Sequence, residues 1–209
     1  MSNKSQIERK VRVITKEVKR LLPLKYVKVV IKEIEIERRG IYKDLGGIGA
    51  YCPNPHLVEI GVDLTHPRFI KSGNSLLAVS IAHELHHAAR RQAGVNISRG
   101  TLLECLWSEG LADMFAYEFT GNKPLWNKSL TDRKFRALLA KAKKNFKGTF
   151  TNQMYDDWFL KGSKKKGLRR WAGYALGFEM VRRYMRRNPG KTPVSLIGAP
   201  VGKVKWEVS

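Results

Sequence analysis

The sequence predicts an α+β fold in which helices predominate and a few strands form a small sheet. Two patterns support this prediction. Apolar residues recur at three- and four-residue spacing in most of the long segments, as on amphipathic helices, and they alternate with other residues in two short segments before residue 70. With 209 residues and 43% hydrophobic content, the chain can bury a core, and we expect a single domain spanning residues 1–209.

A helix and two strands are predicted before residue 70. Apolar residues at helical spacing near the start predict an amphipathic helix that ends at Pro23. Alternation predicts a first strand over 26–37 and a second over 56–63, which we interpret as an edge strand. The glycine-rich segment 40–50 lacks a phosphate-loop pattern, so its glycines indicate turns.

The next helix is predicted over residues 72–91. Ser72 or Asn74 can cap its first turn, and Gly94 can end it after a continuous pattern of apolar residues. The alternation seen earlier in the chain stops here, which favours a helix. The helical assignment matters because it fixes the angular spacing of the polar residues that this segment carries.

This helix contains the pattern H-E-x-x-H at His83–His87. Residues four apart lie about 40° apart around a helix, so the imidazoles of His83 and His87 share one face and can bind one Zn²⁺. Glu84 lies about 100° away, where its carboxylate reaches a metal-bound water more readily than the ion. We therefore expect Glu84 to act as a general base.

The following helix, over 101–121, carries Glu109 and Asp113 one turn apart among apolar residues. Burying ionised carboxylates costs several kcal/mol unless a partner compensates. A zinc ion with its histidines is such a partner, so Glu109 is the predicted third ligand, and Glu104 is the alternative. Asp113 is predicted to accept the N–H of a ligand histidine, as carboxylates behind zinc sites do; the alternative is a surface aspartate.

Residues 121–209 are predicted to form a basic, mainly helical subdomain. Helical patterns cover 130–146 and 169–187, and a loop rich in lysine and glycine separates them. This half carries 22 basic and 5 acidic residues, which supplies +17 of the net charge of +22. Such a surface attracts polyanions such as nucleic acid, although no sequence-reading motif is present. The alternative is a solvated surface.

Two residues in the last helix are candidates to stabilise negative charge during hydrolysis. A phenol or a cation opposite the metal can stabilise a developing oxyanion, which makes Tyr174 or Arg170 the candidate. Tyr174 also fits an apolar core.

Cys52 and Cys105 form no disulfide framework, so we expect a reducing, cytoplasmic location. Cys52 with His56 as a second metal pair is less favoured than a buried thiol.

The metal motifs resemble those of gluzincin-type zinc metallopeptidases, in which H-E-x-x-H is followed by a helix bearing Glu-x-x-x-Asp. The chain is more closely similar to DUF2268, a bacterial family of predicted zinc-dependent proteases. The resemblance covers most of the chain after about residue 40. Its motifs are Gly46–Tyr51, Asn54–His56, His83–His87, Ser108–Asp113, Tyr155–Trp158 and Arg170–Gly177.

The resemblance implies a zincin-like fold, one Zn²⁺ and a peptide or protein substrate. In such proteins, an edge strand beside the metal helix holds the substrate by backbone hydrogen bonds. The expected contacts are therefore Val58, Ile60 and Val62, with His66 and Arg170 nearby; for His66, a local hydrogen bond is the alternative. The alternative function is a basic zinc protein associated with nucleic acid, either without catalytic activity or as a recruited protease. No membrane span is expected.

Overall fold

The computed structural model describes residues 3–34, 42–95 and 100–203. Contacts between residues divide the chain into two units, which we call the sheet unit (Met1–Ala93 and Phe115–Leu125) and the helical unit (Gly94–Met114 and Trp126–Ser209). One continuous helix contributes to both. The predicted division at residue 121 stays a prediction.

The sheet unit contains two long helices and a three-stranded mixed sheet, as predicted in kind. The elements are α1 (Asn3–Leu21), β1 (Lys28–Glu33), β2 (Ile48–Asn54), β3 (Leu57–Val62) and α2 (Pro67–Gln92). The strand order is β1-β3-β2, with β1 parallel and β2 antiparallel to β3. Helix α2 packs against β2 and β3, and α1 packs against α2.

The prediction of an edge strand over 56–63 is wrong. This segment contains β3, which is the central strand and pairs with a neighbour along each of its edges. Alternation of buried and exposed side chains reports which face of a strand is covered, and it contains no information about which edges are paired. The predicted continuation of the first strand to residue 37 lies outside the described residues.

Strand β2 takes the edge position beside α2, although part of its sequence was assigned to turns. Gly49 and Ala50 lie within it, so the glycines of this segment did not mark a loop throughout. The register with β3 shifts between Tyr51 and Asn54. An edge strand therefore does lie beside the helix that carries the histidines, but it is β2.

The helical unit is built on a core of large apolar side chains, among them Trp107, Phe135, Phe159 and Leu176. Its elements are α3 (Leu102–Thr120, which continues into the sheet unit), α4 (Asp132–Lys143), α5 (Asn152–Tyr155) with a following π-helical turn (Asp156–Leu160), and α6 (Ala172–Arg187). The bounds of α3, α4 and α6 agree with the predicted helices to within a few residues, whereas α5 and the π-helical turn were not predicted. In the described part of the chain, no helix combines the length and the apolar character needed to cross a bilayer.

Helices α3 and α6 cross in the helical unit at a pair of glycines. A Cβ placed on Gly110 would lie 2.2 Å from the carbonyl oxygen of Gly177, and one placed on Gly177 would lie 2.1 Å from the carbonyl oxygen of Leu106. Gly110 therefore allows a close approach between α3 and α6. Tyr174, one turn before Gly177, is thereby brought beside α3.

Candidate metal centre

Helix α2 begins earlier than its sequence predicts. It starts at Pro67, and the side chain of His66 caps it by accepting a hydrogen bond from the backbone N–H of Arg68 at 3.1 Å. Ser72, a predicted cap, instead has non-helical dihedral angles and marks a kink within the helix. Gly94, with φ of 82°, ends the helix as predicted, since glycine adopts this left-handed conformation without steric cost.

His83 and His87 lie one turn apart on α2 and are both buried. Their Nε2 atoms are 3.0 Å apart, and the ring planes meet at 79°. At a tetrahedral zinc ion with Zn–N distances of about 2.0 Å, two ligand nitrogens lie about 3.3 Å apart. The pair therefore converges as two ligands of one ion do.

Glu109, on α3, is 8% exposed. One possible ligand atom from each of His83, His87 and Glu109 lies within 4.8 Å of the others, and within the described ranges these residues form the one such group of three. On the same continuous helix, Phe115 packs its ring against His86 of α2, with centroids 5.6 Å apart. Two imidazoles and a carboxylate fit the ligand preferences of zinc.

The alternative third ligand, Glu104, has a different role. Its carboxylate accepts a hydrogen bond from the backbone N–H of Thr101 at 2.7 Å, while the Thr101 hydroxyl faces the backbone N–H of Glu104 at 3.3 Å. This reciprocal pair is a capping box, which satisfies backbone donors at the start of α3. The pattern Thr-x-x-Glu before an apolar run was a visible sequence signal for it.

Asp113 is completely buried, so the alternative of a surface aspartate is wrong. The indole N–H of Trp126 donates to its carboxylate at 3.0 Å, and the side-chain amide of Asn127 donates at 3.2 Å. Sequence reasoning missed both donors, because they lie 13 and 14 residues away in a segment without regular structure. The contact of Asp113 with a ligand histidine stays a prediction.

Tyr174 lies beside the carboxylate of Glu109 within the helical unit. Burial, the neighbouring Tyr155 and the negative charge of Glu109 raise the pKa of Tyr174 well above its usual value, and a hydrogen bond with Tyr155 acts in the same direction. Its ring also meets Phe159 edge-on at 5.2 Å. Tyr174 is therefore partly buried against the core and keeps its phenolic proton near the predicted third ligand.

Glu84 is partly buried on α2, near Cys52 of β2. Burial raises the pKa of the Cys52 thiol to about 12, and the negative charge of Glu84 adds to the effect. The thiol donates to the carbonyl oxygen of Asn54 at 3.2 Å. This environment fits a buried thiol rather than a second metal pair with His56, which is exposed and contacts the carbonyl oxygen of Tyr26.

The expected substrate contacts are not all supported by the structure. Val58, Ile60 and Val62 are buried on a strand that is paired on both edges, so the reason for assigning them to substrate is lost. His66 forms the local hydrogen bonds described by the alternative: it caps α2, and its Nε2 lies 3.1 Å from the carbonyl oxygen of Lys43. The role of Arg170 stays a prediction.

The folded chain is thus a mixed α+β protein that brings two histidines and a carboxylate together as a candidate metal centre. The chain belongs to DUF2268, a family described as predicted Zn-dependent protease, whose model matches residues 17–204. No curated protein and no solved structure matches the chain at a significant level. The finer assignment to the gluzincin type stays a prediction.

Proposed function

We propose that the protein is a zinc-dependent peptidase in which His83, His87 and Glu109 hold one Zn²⁺. The observation that carries this proposal is the buried histidine pair, with Nε2 atoms 3.0 Å apart, within ligand reach of a buried carboxylate. Three protein ligands leave one coordination position for water, which is typical of catalytic zinc. When bound, the ion polarises the peptide carbonyl and lowers the pKa of its water.

In this proposal, Glu84 removes a proton from that water and later returns it to the departing amine. Its position on α2 next to His83 supports the role. Helical geometry places Glu84 about 100° from His83, so its carboxylate is better placed to reach a metal-bound water than to bind the ion.

Tyr174 and Asp113 are proposed to support the reaction from α6 and α3. The raised pKa of Tyr174 keeps its hydroxyl protonated at neutral pH, so the hydroxyl can donate a hydrogen bond to the carbonyl oxygen as negative charge develops on it. Asp113 is held by Trp126 and Asn127, which leaves it fixed in orientation, as a carboxylate that aligns a ligand histidine must be.

For substrate binding, β2 takes the place that the sequence assigned to β3. One edge of β2 pairs with β3, and among the described strands none pairs with its other edge. An extended peptide can add to such an edge by backbone hydrogen bonds. Tyr51, 59% exposed on this strand, would then lie close to the bound peptide. No specific contact in the described residues favours nucleic acid as the partner.

The decisive variant is Glu84→Gln, measured beside the wild type for zinc content and for cleavage of a peptide library. We expect the variant to bind zinc in a one-to-one ratio and to lose peptide hydrolysis, because the amide cannot accept the proton. A His87→Ala variant is the control, which should lose both the metal and the activity. Hydrolysis by Glu84→Gln at the wild-type rate would refute the proposed base.

A further inference from the structure

A groove of about 270 Å³ in the helical unit lies between α4 and the segment that leads into α6. Its floor is apolar and is formed by Leu130, Leu138 and Trp171 together with several alanines. The volume is close to the lower end of the range for ligand pockets, about 300–1,000 Å³. It therefore suits one or two bulky side chains better than a large cofactor.

The rim of the groove is cationic. Lys134 and Lys141 stand two helical turns apart on α4, about 10 Å along its axis. Arg169 and Arg170, from the segment that leads into α6, also line the groove, as does Lys128. Among the described residues that line the groove, none is acidic. Two rows of positive charge thus border an apolar floor.

The acidic residues in this part of the helical unit form ion pairs away from the groove. Between residues 121 and 203, the carboxylates are Asp132, Asp156, Asp157 and Glu179. Each forms an ion pair with a cation that does not line the groove, these cations being Lys161, Lys166, Arg182 and Arg183. These ion pairs involve cations away from the groove, and the five cationic side chains that line it create a positive potential that favours an anionic partner.

We infer that this groove binds an acidic peptide segment that carries bulky apolar side chains. Glutamate or aspartate side chains would pair with the two cationic rows, while an apolar side chain between them would cover the leucine floor. The floor favours a peptide over a nucleobase: it is mainly aliphatic, and the guanidinium of Arg170 already lies 4.3 Å from the centre of the Trp171 ring. Nucleic-acid sites instead present aromatic faces on which bases stack.

This inference deepens the proposed function and rests on it for its biological meaning. Backbone hydrogen bonds at a strand edge contribute affinity for an extended peptide but do not by themselves distinguish one sequence from another. A separate site for an acidic and apolar segment would select which proteins are retained for cleavage. The substrate class is then a protein that contains such a segment outside the bond that is cut.

The test measures binding to the full-length, zinc-loaded Glu84→Gln protein by fluorescence anisotropy. The probe is a short labelled peptide with glutamates around a central pair of leucines, and it is compared with one in which glutamine replaces glutamate and one in which serine replaces leucine. We expect the parent peptide to bind at least about tenfold more tightly than either, and its affinity to fall as salt is added.

Two matched pairs of variants locate the site. Replacing Lys128, Lys134 and Arg169 by glutamine should weaken binding about tenfold, whereas the same replacement of Lys144, Lys147 and Lys164, exposed lysines that do not line the groove, should change it less than about twofold. A second pair introduces one negative charge each, at Ala137 and at Ala140, which are both exposed on α4. Ala137→Glu should weaken binding and Ala140→Glu should not, because only Ala137 lines the groove. Circular dichroism checks folding.

Equal binding by both members of each pair would overturn the inference. So would equal affinity for the glutamate and glutamine peptides, or tighter binding of a short single-stranded DNA that the groove variants weaken. These outcomes can be distinguished from a failure of the proposed peptidase activity. The assay requires no cleavage, so an inactive wild type would leave groove binding intact, and a failed groove would leave hydrolysis of short peptides unchanged.

Discussion

Replacing Gly110 by alanine tests the crossing that brings Tyr174 beside the predicted third ligand. The new Cβ would lie 2.2 Å from the carbonyl oxygen of Gly177, at least 1 Å inside the ordinary range for such a contact. Both groups near the clash are backbone, so α3 and α6 must separate, because no flexible side chain can turn away. Separation would loosen the packing of Leu106, Leu111 and Leu176 around the crossing.

The expected magnitude combines two opposing effects. Overpacking a tight core costs about 1–3 kcal/mol and sometimes more, while alanine gains about 1 kcal/mol over glycine in a helix interior. Because the groups at the clash are backbone and cannot turn away, the overpacking cost lies at the upper end, about 3 kcal/mol. We therefore expect Gly110→Ala to lower the free energy of unfolding by about 2 kcal/mol, which shifts Tm by about 4–8 °C in a chain of this length. The variant should also reduce kcat, since Tyr174 would move away from Glu109.

Thermal unfolding of the zinc-loaded protein measures the stability effect, and peptide hydrolysis measures the effect on catalysis. Gly202→Ala is the control, because a Cβ at that position meets no atom of the described residues within 4 Å. Its Tm should equal or exceed that of the wild type. A Gly110→Ala protein that melts at or above the wild-type temperature would show that the two helices do not approach as closely as the structure has them.

Three further predictions concern the site and the charges of α6. Asp113→Asn should weaken zinc binding about 10–100-fold, measured by competition with a chelator, because the amide aligns a histidine less well than the carboxylate; unchanged affinity would exclude this role. Tyr174→Phe should keep zinc and lower kcat about 100-fold with little change in KM, and an unchanged kcat would remove the hydroxyl from the mechanism. Burial raises the pKa of Glu179, but hydrogen bonds from Arg182 and Arg183 outweigh this effect and hold the pKa below its usual value. Its stabilising effect should be present at neutral pH and lost as pH falls below about 4.3, so the stability difference between wild type and Glu179→Gln should shrink in acid.

The helices were predictable from the sequence because their signals are local. Apolar spacing and Gly94 predicted the main part of α2 and its end, and the expected bounds of α3 and α6 differ from the observed ones by a few residues. The start of α2 was missed because His66 caps it through a side-chain nitrogen, and histidine is not among the residues that usually cap helices.

The sequence predicted two of the three described strands, and it placed the second of them wrongly at an edge of the sheet. β1 and β3 follow the predicted alternation, but the edge position belongs to β2, whose glycines resembled turn residues. Strand order depends on which backbone edges meet in the folded chain, and a single sequence carries little information about it. For this reason, the structure no longer supports Val58, Ile60 and Val62 as substrate contacts. An edge strand does lie beside the metal helix, so that part of the proposal is kept.

The residues of the candidate site divide in the same way. The relation of His83 to His87, and that of Glu109 to Asp113, is set by one turn of a helix, so the motif alone predicts it. Trp126, Asn127 and Tyr155 reach the site through tertiary packing, and no spacing rule connects them to it. Because helices position side chains more rigidly than loops, the candidate ligands on α2 and α3 are held more firmly than the groups that reach them from irregular segments. The groups around those ligands are therefore where we expect substrate preference and rate to be adjusted.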